Sequence, residues 1–153
     1  MGELFGNIYS FFESFYGKPL SEYLWGYNCS TQDYDLDLLY IQFGVIALIS
    51  TFIMSSIYYY VWNPVRRQQL KYWMLMVATG CINFVFAFQW LTRDLKNGMI
   101  GDCLLYDNQG YQVIETMNIM MFGMVDFLFA AVFFFLFSLG IKWGSTAVKH
   151  YPF

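Results

Sequence analysis

The sequence predicts an all-α integral membrane protein with three transmembrane helices, an N-terminal interfacial amphipathic helix and a small external β-hairpin. Three observations carry this expectation. Only 12 % of the 153 residues are charged and 58 % are hydrophobic, where an ordinary globular domain carries about 25 % charged residues. The chain therefore has too few solvated side chains to cover a sphere. Three long stretches are almost free of charge, and the basic residues gather in the segments at one end of those stretches.

The stretches are Leu38 to Val61, Tyr72 to Thr92, and Thr116 to Ile141; the third contains one charge, Asp126. A bilayer core needs about 20 helical residues to cross. In hydrocarbon every backbone polar group must be satisfied within the segment, so each stretch is expected to be a helix. The resulting organisation is an external N-terminal segment over 1–37, spans over 38–61, 72–92 and 116–141, an inner linker over 62–71, an external loop over 93–115 and an inner tail over 142–153.

Orientation follows from the Lys and Arg residues. Arg66, Arg67 and Lys71 lie in the linker and Lys142 and Lys149 in the tail, with no acid beside them. The N-terminal segment carries Glu3, Glu13, Glu22, Asp33, Asp35 and Asp37 against Lys18 alone. The expected arrangement has the N-terminus outside and the C-terminus in the cytoplasm, in a plasma or inner membrane. Residues 1–30 lack the basic, apolar and small-residue succession of a cleavable signal peptide.

Composition excludes several classes. Three Cys are too few for a disulfide mini-protein. Seventeen Phe and thirteen Tyr exclude disorder. A net charge of −3 without a basic run excludes nucleic-acid binding.

Outside the bilayer, Leu4, Ile8, Phe11 or Phe12, and Phe15 recur at helical steps, which predicts an amphipathic helix over 3–16. Its apolar face suits either the headgroup boundary or the protein's own surface. Pro19 to Trp25 reads as a second short helix. In the external loop, Leu104-Leu105-Tyr106 and Tyr111-Gln112-Val113-Ile114 flank the turn residues Asp107 to Gly110, which predicts a hairpin. Cys29 and Cys103 both fall outside and are candidates for a disulfide. Asn28-Cys29-Ser30 matches a glycosylation sequon, a weak three-residue pattern.

Asp126 stands near the middle of the third span, where an ionised carboxylate costs about 2.5–3.5 kcal/mol. Such a group faces protein or water. Asn83 lies at a similar depth in span two, and Ser50 and Thr51 in span one. Gly123, Asp126 and Ala130 share one helix face, as do Thr79 or Gly80, Asn83 and Ala87, and Gly44, Ala47, Thr51 and Ser55. Small residues let helices approach and buried hydroxyls bond across them. Two readings of Asp126, Asn83, Thr51 and Ser55 follow: a polar lock that holds the helices together, or the lining of a cation or proton path.

Asp33, Asp35 and Asp37 alternate just outside span one and read either as a solvated stretch or as an acidic vestibule. They do not make a calcium loop, since Leu38 stands where that loop needs Gly and Gly44 where it needs Glu. No catalytic motif, metal-ligand cluster or phosphate loop is visible, and the single His150 has no partner at ligand spacing. No cofactor, metal or enzymatic activity is expected. The expected partners are the lipid bilayer and further copies of the chain. The leading functional expectation is a homo-oligomeric pore or ion channel. The alternative is a non-catalytic structural subunit of a larger membrane complex, or a membrane sensor or adaptor.

Overall fold

Backbone groups in hydrocarbon have no water to bond, and a helix satisfies them within one segment. The computed structural model of the chain, which describes residues 2–34, 37–62, 68–107 and 109–144, is mostly helical. In chain order its elements are α1 (Gly2–Ser10), α2 (Glu13–Tyr16), α3 (Lys18–Leu24), β1 (Tyr27–Asn28), β2 (Asp33–Tyr34), α4 (Leu39–Ser56), a π-helical turn (Ile57–Trp62), α5 (Gln68–Lys96), α6 (Asp102–Leu105) and α7 (Thr116–Gly144). Three helical stretches are long and apolar enough to cross a membrane: Leu39–Tyr60, Gln69–Lys96 and Thr116–Ile141.

The second of these runs past both ends of the 72–92 stretch expected from charge. Its end is set by backbone chemistry. Gly98 has φ 67°; its N–H donates to the Leu95 carbonyl at 3.4 Å, and the Met99 N–H to the Asp94 carbonyl at 3.0 Å. These two bonds close the last turn, and they need a left-handed residue at the position glycine fills.

The described residues divide into two compact units. The first comprises Met1–Val45 with Val85–Val125. Its core is aromatic: Phe5, Tyr9, Tyr16, Tyr40, Phe43 and Phe122 are buried. The Tyr9 ring lies 5.5 Å from Tyr40 and 5.6 Å from Phe122, within the range where aromatic pairs attract beyond their buried area.

Two sequence expectations are corrected in this unit. The single helix over 3–16 breaks at Phe11–Phe12, and its buried face is Phe5, Tyr9 and Tyr16. Phe11 is 81 % exposed and Phe15 64 %. The tyrosines win the interior because the Tyr16 hydroxyl reaches the Tyr9 carbonyl at 2.9 Å and the Tyr40 hydroxyl at 2.8 Å, so ring and polar tip are both satisfied.

The hairpin expected around Asp107 to Gly110 reduces to one antiparallel bridge, Tyr106 with Gln112. Leu104 and Leu105 are helical in α6 instead, with Leu104 buried. The Cys29–Cys103 disulfide, with Cα atoms 6.0 Å apart, anchors α6 to the N-terminal segment. The two-stranded antiparallel sheet lies beside that bond, where Tyr27 pairs with Tyr34 and Asn28 with Asp33. The short helix read over Pro19 to Trp25 is present as α3.

The second unit comprises Ile46–Phe84 with Asp126–Phe153. Tyr58, Tyr59, Tyr72, Leu75 and Phe134 form its apolar cluster, with Met54, Met76 and Ile141 packed against it. Tyr58 and Tyr59 are sequence neighbours and both buried. They lie in the π-helical turn, whose wider winding brings consecutive side chains closer to one face than an α-helix does.

Candidate functional site

Polar residues of all three long apolar helices are buried in the second unit. Thr51, Ser55, Thr79, Asn83, Asp126 and Ser138 are all buried there, Asn83 and Asp126 to 1 % exposure. Their large apolar helix neighbours Phe52, Ile53, Val77, Ile82, Leu128 and Val132 are exposed. The small residues on the same faces, Ala47, Gly80 and Ala130, are buried too.

The hydrogen bonds of these residues are mostly local. Thr51 donates to the Ala47 carbonyl at 2.6 Å, Ser55 to Phe52 at 3.1 Å, Thr79 to Leu75 at 2.8 Å and Ser138 to Phe134 at 2.7 Å. Each turns its hydroxyl back on its own helix, which satisfies the donor without a partner from elsewhere. Asn83 does more. Its Nδ2 donates to the Thr79 carbonyl at 2.8 Å and to Ser50 Oγ at 3.0 Å, while Ser50 Oγ lies 3.1 Å from both Asn83 Oδ1 and the Ala47 carbonyl. One amide thereby ties α5 to α4. Gly80 allows a second close approach: a Cβ there would stand 2.6 Å from the Phe127 ring of α7.

Of the residues singled out in the sequence, Asp126, Asn83, Thr51 and Ser55 are each buried within this unit, and Asn83 is bonded to Ser50. The external acids are different. Asp33 is exposed in β2, where its carboxylate accepts the Tyr34 N–H at 2.8 Å, and Asp37 is exposed. Asp35 lies outside the described residues, as do Arg66, Arg67, Lys149 and His150. Among the described residues no group of His, Cys, Asp or Glu is placed to hold a metal ion.

A second polar network, without a signal in the sequence pattern, lies in the first unit. Tyr40 donates to Ser21 Oγ at 3.0 Å and Ser21 to Glu13 Oε2 at 3.2 Å, and Tyr16 joins through Tyr40. Burial pushes the Tyr16 phenol above its usual value. Nearby, Tyr23 donates to Asp94 Oδ2 at 3.0 Å; burial first, and then the charge of Asp94, raise its phenol as well.

Comparison with protein-family models, with curated proteins and with solved structures finds no match to this chain.

Proposed function

We propose that this protein is a non-catalytic membrane subunit, a three-span anchor carrying a disulfide-tied head for assembly into a larger membrane complex. One observation supports this reading most: five of the buried polar side chains of the spans bond within the chain. Thr51, Ser55, Thr79 and Ser138 bond their own helices, and Asn83 is held by Ser50 and the Thr79 carbonyl. A pore formed on a symmetry axis between copies needs a polar stripe on the outer surface of each copy, and the exposed span residues named above are apolar.

The expected threading, N-terminus outside, is supported by the Lys and Arg asymmetry and by the Cys29–Cys103 bond, because disulfides persist in oxidising compartments. Phe11 and Phe15, exposed and aromatic, suit the headgroup boundary on that side.

A pore remains the second reading, and Asp126 is the observation that favours it. A carboxylate buried in an apolar span is a functional candidate by default. Any cation or proton path would then run within the protomer, past Asp126, Asn83, Thr51 and Ser55.

One experiment separates the two. The full-length protein is released from its native membrane in mild detergent, sized, and separately reconstituted alone into liposomes. The subunit reading expects a particle of fixed composition containing other membrane chains, and no ion flux from the isolated protein. Flux that Asp126→Asn abolishes overturns it in favour of the pore.

A further inference from the structure

The end of α5 that leads to Gly98 carries a feature that neither polar network uses. Gln89, Arg93 and Asn97 form a ridge with a groove on each side. The groove on the Lys96 side, about 300 Å³, is lined by Phe88, Thr92 and Lys96 together with the ridge, and contains two cations and no carboxylate. The groove on the other side, about 420 Å³, runs along Phe86 and Trp90. Arg93 and Lys96 are exposed, and neither forms an ion pair among the described residues. Thr92 adds an independent sign of incompleteness. Thr51, Ser55, Thr79 and Ser138 all bond their own helix, whereas the buried Thr92 hydroxyl finds no hydrogen-bond partner among the described residues.

We propose that this end of α5 binds one anionic phospholipid, its phosphate held by Arg93 and Lys96 and one acyl chain lying along Phe86 and Trp90. The order of side chains along the helix matches the order of groups in the ligand. Phe86 and Trp90 come first, on the apolar run of the span; Trp90 stacks edge-on against Phe86 at 5.4 Å and Phe43 at 5.7 Å, which fixes its ring as a wall. Gln89 and Thr92 follow at the depth of the ester and glycerol oxygens. Arg93 and Lys96 come last, at the level of the headgroups on the side the expected threading makes external, where two cations complement a phosphate. The one carboxylate nearby, Asp94, lines only the Trp90 side, and the Tyr23 hydroxyl donates to it. The phosphate is therefore assigned to the Lys96 side.

The test uses the intact protein in lipid nanodiscs and native mass spectrometry. Phosphatidylglycerol and phosphatidylcholine are offered with matched acyl chains, and inorganic phosphate is added as a competitor. The wild-type protein is expected to retain one phosphatidylglycerol in preference to phosphatidylcholine. Replacing both cations (Arg93→Gln with Lys96→Gln) removes two charge-assisted bonds and is expected to weaken that retention at least about tenfold, while Arg93→Lys keeps most of it. Both side chains are exposed, so helicity by circular dichroism stays unchanged. Equal retention of the two lipids, unchanged retention in the double variant, or displacement by millimolar inorganic phosphate each overturns the proposal; the last would leave only a free-anion site.

Discussion

Asn83 Nδ2 and Ser50 Oγ meet at 3.0 Å, a side-chain bond between two helices long and apolar enough to cross a membrane. Both partners are also tied to carbonyls of their own helices, Asn83 to Thr79 and Ser50 to Ala47. The amide is thus held in one rotamer before it meets its partner. Interhelical bonds of this kind contribute about 0.6 kcal/mol on average and up to about 1.7 kcal/mol in membranes. A double-mutant cycle with Ser50→Ala and Asn83→Ala is expected to return a coupling in that range, read from unfolding in mixed micelles. Strictly additive single effects would show that the contact does not hold α4 to α5.

Gly80 sets the second contact between spans. The Phe127 ring occupies the space a side chain at position 80 would need. Gly80→Val is expected to destabilise the protein by about 1–3 kcal/mol, the usual cost of overpacking. Phe127→Ala, harmful by itself through a lost ring, should make the added valine less harmful. Thermal unfolding of the four proteins checks this; a double variant that loses the full sum of both effects would disprove the steric explanation.

The three spans were legible because bilayer insertion is decided by long apolar runs, and Leu38, Thr116 and Ile141 fall within one residue of the ends of the stretches observed. The small and polar faces were legible too, because Ala47, Thr51 and Ser55, or Asn83 and Ala87, keep helical spacing. The N-terminal helix was misread by one position. Phe5, Tyr9, Phe12 and Tyr16 recur at four, three and four, a heptad as regular as the one chosen; hydrophobicity ranks Tyr below Phe and hides that a buried phenol with partners packs well. The loop hairpin is shorter than expected for a different reason, keeping one bridge between Tyr106 and Gln112. Strand propensity at Leu104 and Leu105 is local, and a disulfide at Cys103 together with burial of Leu104 is not. The Tyr40–Ser21–Glu13 network had no sequence signal, since its members lie in three separate elements.

The Cys29–Cys103 bond closes a sequence separation of 74 residues. Chain-entropy arguments give about 4.4 kcal/mol for closing a loop of this order, where disulfides typically contribute about 2–4 kcal/mol. The N-terminal segment has little else in regular pairing near the bond, because β1 and β2 are two residues each. Replacing both cysteines by serine is expected to lower the unfolding midpoint and to speed proteolysis within 25–38 and 97–115, leaving the spans protected. Limited proteolysis followed by mass mapping reads this directly. Equal cleavage rates with and without the bond would show that the head is held by packing alone.

Tyr23 ties α3 to the far end of α5 through Asp94, and its phenol is raised by burial and by that carboxylate. A free phenol titrates near 10. Below that value folded and unfolded chains both keep the proton, so the full stabilisation is present. Above it the unfolded chain releases the proton while the folded one retains it; the unfolded state then binds fewer protons and stability falls as pH rises. The slope for one such group is at most about 1.4 kcal/mol per pH unit, and Tyr16, raised in the same direction, adds to it. Unfolding measured at pH 9, 10 and 11 should therefore show a plateau and then a decline. Tyr23→Phe is expected to be less stable than wild type at pH 9, where it lacks the bond to Asp94, and to decline less between pH 10 and 11. Parallel decline in the two proteins would mean that the Tyr23 proton is not what the alkaline transition removes.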